Sequence, residues 1–134
     1  MSNDCNCAIK FESEIRKQKC LSHEFEVYKE IRQNSLAVKR FPQIYDFIEE
    51  EDIGNYLVME LLGDNLEELF TLCGQKFSVK TTVILAKKVI DIIQIVHLCG
   101  YVYRDIAPQN FVLGQDKNSD QLYLIEIWHG QKIY

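Results

Sequence analysis

Tyr103-Arg104-Asp105-Ile106-Ala107-Pro108-Gln109-Asn110-Phe111 sets an Arg-Asp pair ahead of an asparagine five residues after the aspartate. Asp and Asn side chains of this kind organise tight loops through hydrogen bonds to nearby backbone. The stretch follows the longest periodic segment of the chain. Ser78 caps a helix that runs to Cys99 and is stopped by Gly100, with Val83, Ala86, Ile90 and Ile93 on one face and Leu85, Val89, Ile92 and Val96 on another. Lys87, Lys88 and Asp91 exclude a membrane span. Beyond the stretch, residues 110–113 and 121–127 are expected to pair across a turn at 115–120, which brings Glu126 close to the loop. Upstream, residues 44–48 and 56–61 flank an acidic turn ending at Gly54, a hairpin signature with a longer loop. A short helix follows, with Asp64 or Asn65 as its cap and Glu67 and Glu68 in its first turn, where the helix dipole favours acids. A strand over 8–11, a polar loop and an amphipathic helix over 21–31 open the chain. The mixture reads as α+β.

At 134 residues the chain has the length of one domain, with 47% hydrophobic and 26% charged residues, enough to bury a core. A net charge of −5 argues against a nucleic-acid partner, because phosphate backbones need a basic face. The basic cluster Arg16-Lys17-Gln18-Lys19 and the acidic run Glu49-Glu50-Glu51-Asp52 read as solvated loops. The five cysteines, at positions 5, 7, 20, 73 and 99, form no C-x-x-C pair, and no hydrophobic signal sequence begins the chain. That pattern implies a reducing, intracellular compartment, cytoplasmic or nuclear. Cys5 and Cys7 near His23 have poor spacing for a metal site and read as free thiols. His97 and Cys99 read as packing and helix-terminus residues, and His129 has no evident partner.

Segment 103–111 resembles the catalytic loop of protein kinases, and Ala8-Ile9-Lys10 resembles their third-strand V-A-I-K signature. The intervening Tyr56-Leu57-Val58-Met59-Glu60-Leu61-Leu62-Gly63, followed by Asp64-Asn65-Leu66-Glu67-Glu68-Leu69-Phe70, resembles the hinge and next helix of casein kinase I in particular. The resemblance runs from about Ala8 to Ile127. It implies a partial protein-kinase-like fold in a single domain over 1–134, with a small-lobe remnant and hinge over 8–62 and part of the large lobe over 63–134. It also implies ATP and magnesium as cofactors, with Lys10 on the phosphates and Glu24 holding Lys10. The nucleotide would sit against Met59, Glu60 and Leu62, with Asp105 as proton acceptor and Asn110 and Glu126 on metal. Lys10 and Glu24 alone would read as an exposed ion pair, and Met59 as core packing.

The departures from the family pattern weigh against transfer. Ala107 stands where the resemblance calls for a lysine, which removes a cation near the transferred phosphate. Glu126-Ile127-Trp128 stands at the D-F-G position, lengthening the metal carboxylate by a methylene and replacing a glycine with a bulky residue. Losing one charge-stabilising contact can cost roughly 3 kcal/mol in the barrier. Nine residues precede Lys10 and the chain ends at Tyr134, so a glycine-rich loop and the later large-lobe helices are expected to be missing.

Two functions of different class follow. One is a casein kinase I-like pseudokinase, acting as a protein-interaction or structural subunit. The other is a Ser/Thr protein kinase, active or completed by a partner; a nucleotide-binding switch lies between them. The helix over 79–99, apolar around most of its circumference, predicts a protein partner or self-association, with Val83, Val89, Ile92 and Val96 contributing.

Overall fold

Exposure alternates along Cys7–Ser13, as the two-residue period of a half-buried strand requires, and this segment is β1 of the computed structural model, which describes residues 6–15, 20–127 and 130–132. Ile44–Glu50 (β2) and Gly54–Glu60 (β3) form the expected hairpin, and β3 also pairs antiparallel with β1, giving the order β1-β3-β2. The register sets Lys10 opposite Leu57 and Ala8 opposite Met59. The backbones of β1 and β3 close in at Gly54, where φ is +143° and a Cβ would lie 2.1 Å from the Glu12 carbonyl oxygen. Only glycine fits there. The acidic run does not form a loop throughout: Glu49 and Glu50 belong to β2 as solvated strand residues, and the turn begins at Glu51. The basic cluster 16–19 lies outside the described residues.

Leu21–Ile31 (α1) buries Leu21, Glu24, Val27, Tyr28 and Ile31, one stripe at helical spacing. Its N-cap residue, Cys20, contributes no side-chain cap. Glu12 of β1 does so instead, its Oε1 accepting from the N–H of Cys20 at 2.7 Å and of Leu21 at 3.3 Å. The stripe packs with Leu57 and Met59 of β3 in one core.

Leu66–Leu72 (α2) starts at Asn65, which wins over Asp64 because it closes a capping box with Glu68: two reciprocal bonds of 2.9 Å. Val79–Leu98 (α3) is capped by Ser78, whose Oγ accepts from Thr81 N–H, and ends before Gly100 at φ +83°. Tyr101–Val102 (β4) follows. Then Phe111–Leu113 (β5) pairs with Leu122–Leu124 (β6), the expected second hairpin, and Gln131–Lys132 (β7) returns to β4.

One expectation about α3 is corrected. Ile92 and Val96 do not contribute to an open face: both are fully buried with Ile95, because α3 lies against β4 and β6 on that side. Val89 is half-buried, and of the four residues expected outside only Val83 is. The exposed large apolar residues of α3 are Val79, Val83, Ile84, Ile90 and Leu98. Among the described residues no helix is long and apolar enough to cross a membrane. The fold is α+β, as the sequence implies.

Candidate functional site

The site gathers on the segment that leaves β6. Lys10 points from β1 toward α1, and its Nζ donates to Glu24 Oε1 at 2.8 Å and to the carbonyl oxygen of Ile125 at 2.8 Å. The same Glu24 oxygen accepts from the N–H of Ile127 at 3.3 Å. Glu24 is almost wholly buried, whereas Lys10 keeps about a third of its side chain exposed (3% and 30%). Burial raises the Glu24 carboxyl above its ordinary range, and only in part does the Lys10 charge pull it back.

The second half of the site is the loop after β4. Asn110, 2% exposed, uses its amide nitrogen three times: to the Asp105 carbonyl oxygen at 3.0 Å, to Asp105 Oδ2 at 3.1 Å and to the Tyr103 hydroxyl at 2.9 Å. A 3-10 turn over Pro108–Asn110 creates this geometry, closed by the Asn110 N–H on the Ala107 carbonyl oxygen. The halves meet at one residue, since Ile125, whose carbonyl accepts from Lys10, donates its N–H to the Asn110 carbonyl oxygen.

Lys10 and Glu24 are thus brought together, and so are Asp105 and Asn110. Glu126 is half-buried beside them, and its negative charge raises the proton affinity of Glu24, Tyr28 and Tyr103. Met59 is buried in the core between Ala8 and Ile44, the packing role anticipated for it. At the hinge, Glu60 clamps Gln43 through its backbone N–H and through its carboxylate. The Leu62 carbonyl is taken by the side-chain amide of Gln115. Trp128 and His129 lie outside the described residues.

Sequence reasoning passed over two tyrosines. Tyr103 is buried, accepts the Asn110 amide, and has its hydroxyl raised well above the ordinary range by burial, then by the charges of Asp105, Glu126 and Glu24. Tyr28 is fully buried, and its hydroxyl lies beside Glu24 without the geometry of a hydrogen bond or any other partner among the described residues. The available signal was position: Tyr28 is four residues after Glu24 on one helix face, and Tyr103 immediately precedes the Arg-Asp pair.

A strand lysine bridged to a helix glutamate, and a loop asparagine bonded to the aspartate five residues before it, occur here in one interior. The sequence relatives agree with that arrangement. Over 109 residues, 79% of this chain, it is 42% identical to a probable casein kinase I homolog of Encephalitozoon cuniculi, covering 34% of that protein. The chain is casein kinase I-like. It is 38% identical over 121 residues to casein kinase I homolog 2 of Schizosaccharomyces pombe, and 38% over 126 residues to homolog 1 of the same yeast, covering 89% and 92% of this chain and 27% of each relative. The casein kinase I-like chain therefore spans between about a quarter and a third of the length of the curated relatives it matches. No protein-family model matches it.

Proposed function

We propose that this casein kinase I-like chain is a pseudokinase: it does not transfer phosphate, and it serves as a protein-interaction or structural subunit. The observation that carries this reading is the position of Lys10, whose ammonium is held by both Glu24 and the Ile125 carbonyl, with a methyl at Ala107 where a second cation is called for. Phosphoryl transfer is positioning plus neutralisation of spreading negative charge. Around Tyr103 the charges run the other way: Glu24, Glu126 and Asp105 all act on its hydroxyl. A nucleoside triphosphate would meet carboxylates there with one partly committed lysine to offset them. Asn110 and Glu126 are the residues that would hold magnesium, and Glu126 brings its carboxylate on a side chain one methylene longer than the resemblance calls for to an ion of strict octahedral geometry, so the donor set fits the ion poorly.

The second reading, an active or partner-completed Ser/Thr kinase, draws on the Lys10–Glu24 contact of 2.8 Å and the Asn110–Asp105 contact of 3.1 Å, which keep the residue pairs such a reaction uses. Transfer of labelled γ-phosphate to protein and to Ser/Thr peptides separates the two, with Asp105→Asn as control for co-purifying kinases. The pseudokinase reading requires equal incorporation by both proteins. Incorporation that Asp105→Asn abolishes would establish the enzyme.

A further inference from the structure

Glu30, the penultimate residue of α1, carries its carboxylate out to two other elements. Its Oε2 accepts from Lys132 Nζ of β7 at 2.7 Å and from the Tyr101 hydroxyl of β4 at 2.7 Å. The Lys132 ammonium also lies 5.8 Å from the centre of the Tyr101 ring, within cation–π range. Tyr101 is 3% exposed, which fixes the place from which its hydroxyl donates, whereas the Glu30 and Lys132 side chains are about half exposed (46% and 53%). Lys132 first and Tyr101 second hold the Glu30 carboxyl below its ordinary range, and burial followed by Glu30 pushes the Tyr101 hydroxyl up to about 12. The carboxylate is therefore charged and the phenol protonated around neutral pH. Among the described residues β7 has few other ties. It pairs with β4 through two residues, Lys132 with Tyr101 and Gln131 with Val102, and a two-stranded ladder that short is marginal by itself. Gln131 adds one side-chain contact, its Oε1 accepting from Arg104 Nη1 at 3.2 Å. Ile127 meets α1 separately, its N–H donating to Glu24, six residues and about 9 Å before Glu30 along the helix.

The geometry points to a conformational catch: Glu30, Lys132 and Tyr101 hold β7 against the C-terminal end of α1, and loss of the Lys132 charge opens β7 and the last turn of α1 together while the Lys10–Glu24 end of the helix stays closed. An ion pair this exposed contributes little to global stability and is screened by salt, so the opening is local and leaves the chain folded. The two ends of α1 respond differently because they are held differently. Glu24 is almost wholly buried and keeps both Lys10 and the Ile127 N–H, whereas Glu30 depends on groups that water and ions reach. In the open form Gln131 leaves Arg104, so the catch couples the end of α1 to the loop of Asp105 and Asn110. It governs the position of β7 and is independent of whether the chain transfers phosphate.

Hydrogen exchange of the whole chain, read by mass spectrometry over segments 28–34 and 130–132, tests the catch. Lys132→Met should raise exchange in both segments about fivefold and leave exchange around Lys10 and the urea midpoint unchanged. Lys132→Arg, which keeps the cation, should exchange like the native chain. Lys29→Met removes a comparable exposed pair one turn earlier on the same helix, Lys29 with Glu26 at 2.8 Å, and should leave 130–132 untouched. Raising sodium chloride from about 20 mM to about 500 mM should reproduce the Lys132→Met pattern in the native chain, a measurement that needs no variant to fold. Exchange that is unchanged by Lys132→Met and by salt, or that rises evenly over the whole chain, overturns the catch. So does exchange that rises in one of the two segments without the other, or that Lys29→Met raises equally in 130–132.

Discussion

The ammonium of Lys10 lies 2.8 Å from the carbonyl oxygen of Ile125, 115 residues further along the chain, and the N–H of that same Ile125 donates to Asn110. One residue, through its N–H and its carbonyl, therefore joins the strand that carries Lys10 to the loop that carries Asp105 and Asn110. These side chains tie the sheet, α1 and the β5–β6 hairpin together. Such ties need charge and hydrogen-bonding capacity, which gives the side chains a role whether or not nucleotide binds.

Lys10→Met should therefore destabilise the fold, because Glu24 is left buried with its opposing charge removed. Breaking a buried pair typically costs about 3–5 kcal/mol, and the partial exposure of Lys10 lowers the expected loss to about 2–3 kcal/mol. Urea unfolding of Lys10→Met, Glu24→Gln and the double variant should show the double variant losing less than the sum of the single losses. Additive losses would mean that the pair contributes nothing as a pair.

Glu24 also gives the fold a pH signature. Its carboxyl in the folded protein titrates above the ordinary value of 4.5, chiefly through burial. Between pH 4.5 and the raised folded value, the folded state binds more protons than the unfolded state, so this group's contribution to stability increases as pH falls and decreases as pH rises through the folded value. The stability difference between the native chain and Glu24→Gln should move in favour of the native chain as pH is lowered from 7, then level off below about 4.5. Urea midpoints across that range check the sign.

Glu12 caps α1 from a neighbouring strand, and Glu12→Ala leaves the N–H groups of Cys20 and Leu21 without their acceptor. The expected loss is about 2 kcal/mol, and Glu12→Gln, which keeps a carbonyl oxygen, should lose about half as much. Chemical denaturation of the two variants gives the ordering. Equal losses would show that the carboxylate charge, not the acceptor oxygen, supports the helix end.

Much of this architecture was legible beforehand. The bounds of α1, the Ser78 cap and both hairpins follow from periodicity and turn residues, which act locally. The cap of α1 was not legible, because Glu12 and Cys20 are eight residues apart and only the packing of α1 against the sheet brings them together. The inward side of α3 was hidden for a related reason: both of its faces are apolar, and only the packing of β4 and β6 chooses Ile92 and Val96 over Val83 and Ile90. At the site, the residue pairs could be read from spacing. The engagement of Lys10 by Ile125, and the burial of Tyr28 and Tyr103 beside three carboxylates, could not.

Asn110→Asp would set a second carboxylate about 3 Å from Asp105, where two negative charges cannot both be accommodated cheaply. It should be less stable than Asn110→Ala at pH 7, where Ala removes bonds without adding charge, and it should recover relative to Ala as the pH approaches 4. Thermal unfolding at the two pH values reads both effects. A recovery that fails to appear would place the Asp105 carboxylate outside the reach of residue 110.

The central claim, that this site holds the fold together and does not process nucleotide, is tested most directly by the thermal unfolding midpoint with and without ATP, each with and without magnesium. A ligand about a hundredfold above its Kd adds about 2.7 kcal/mol, several degrees in Tm for a domain of this size. The account predicts an unchanged Tm at millimolar ATP and magnesium from a protein shown to be folded. A magnesium-dependent rise of several degrees, absent in Asn110→Ala, would contradict it.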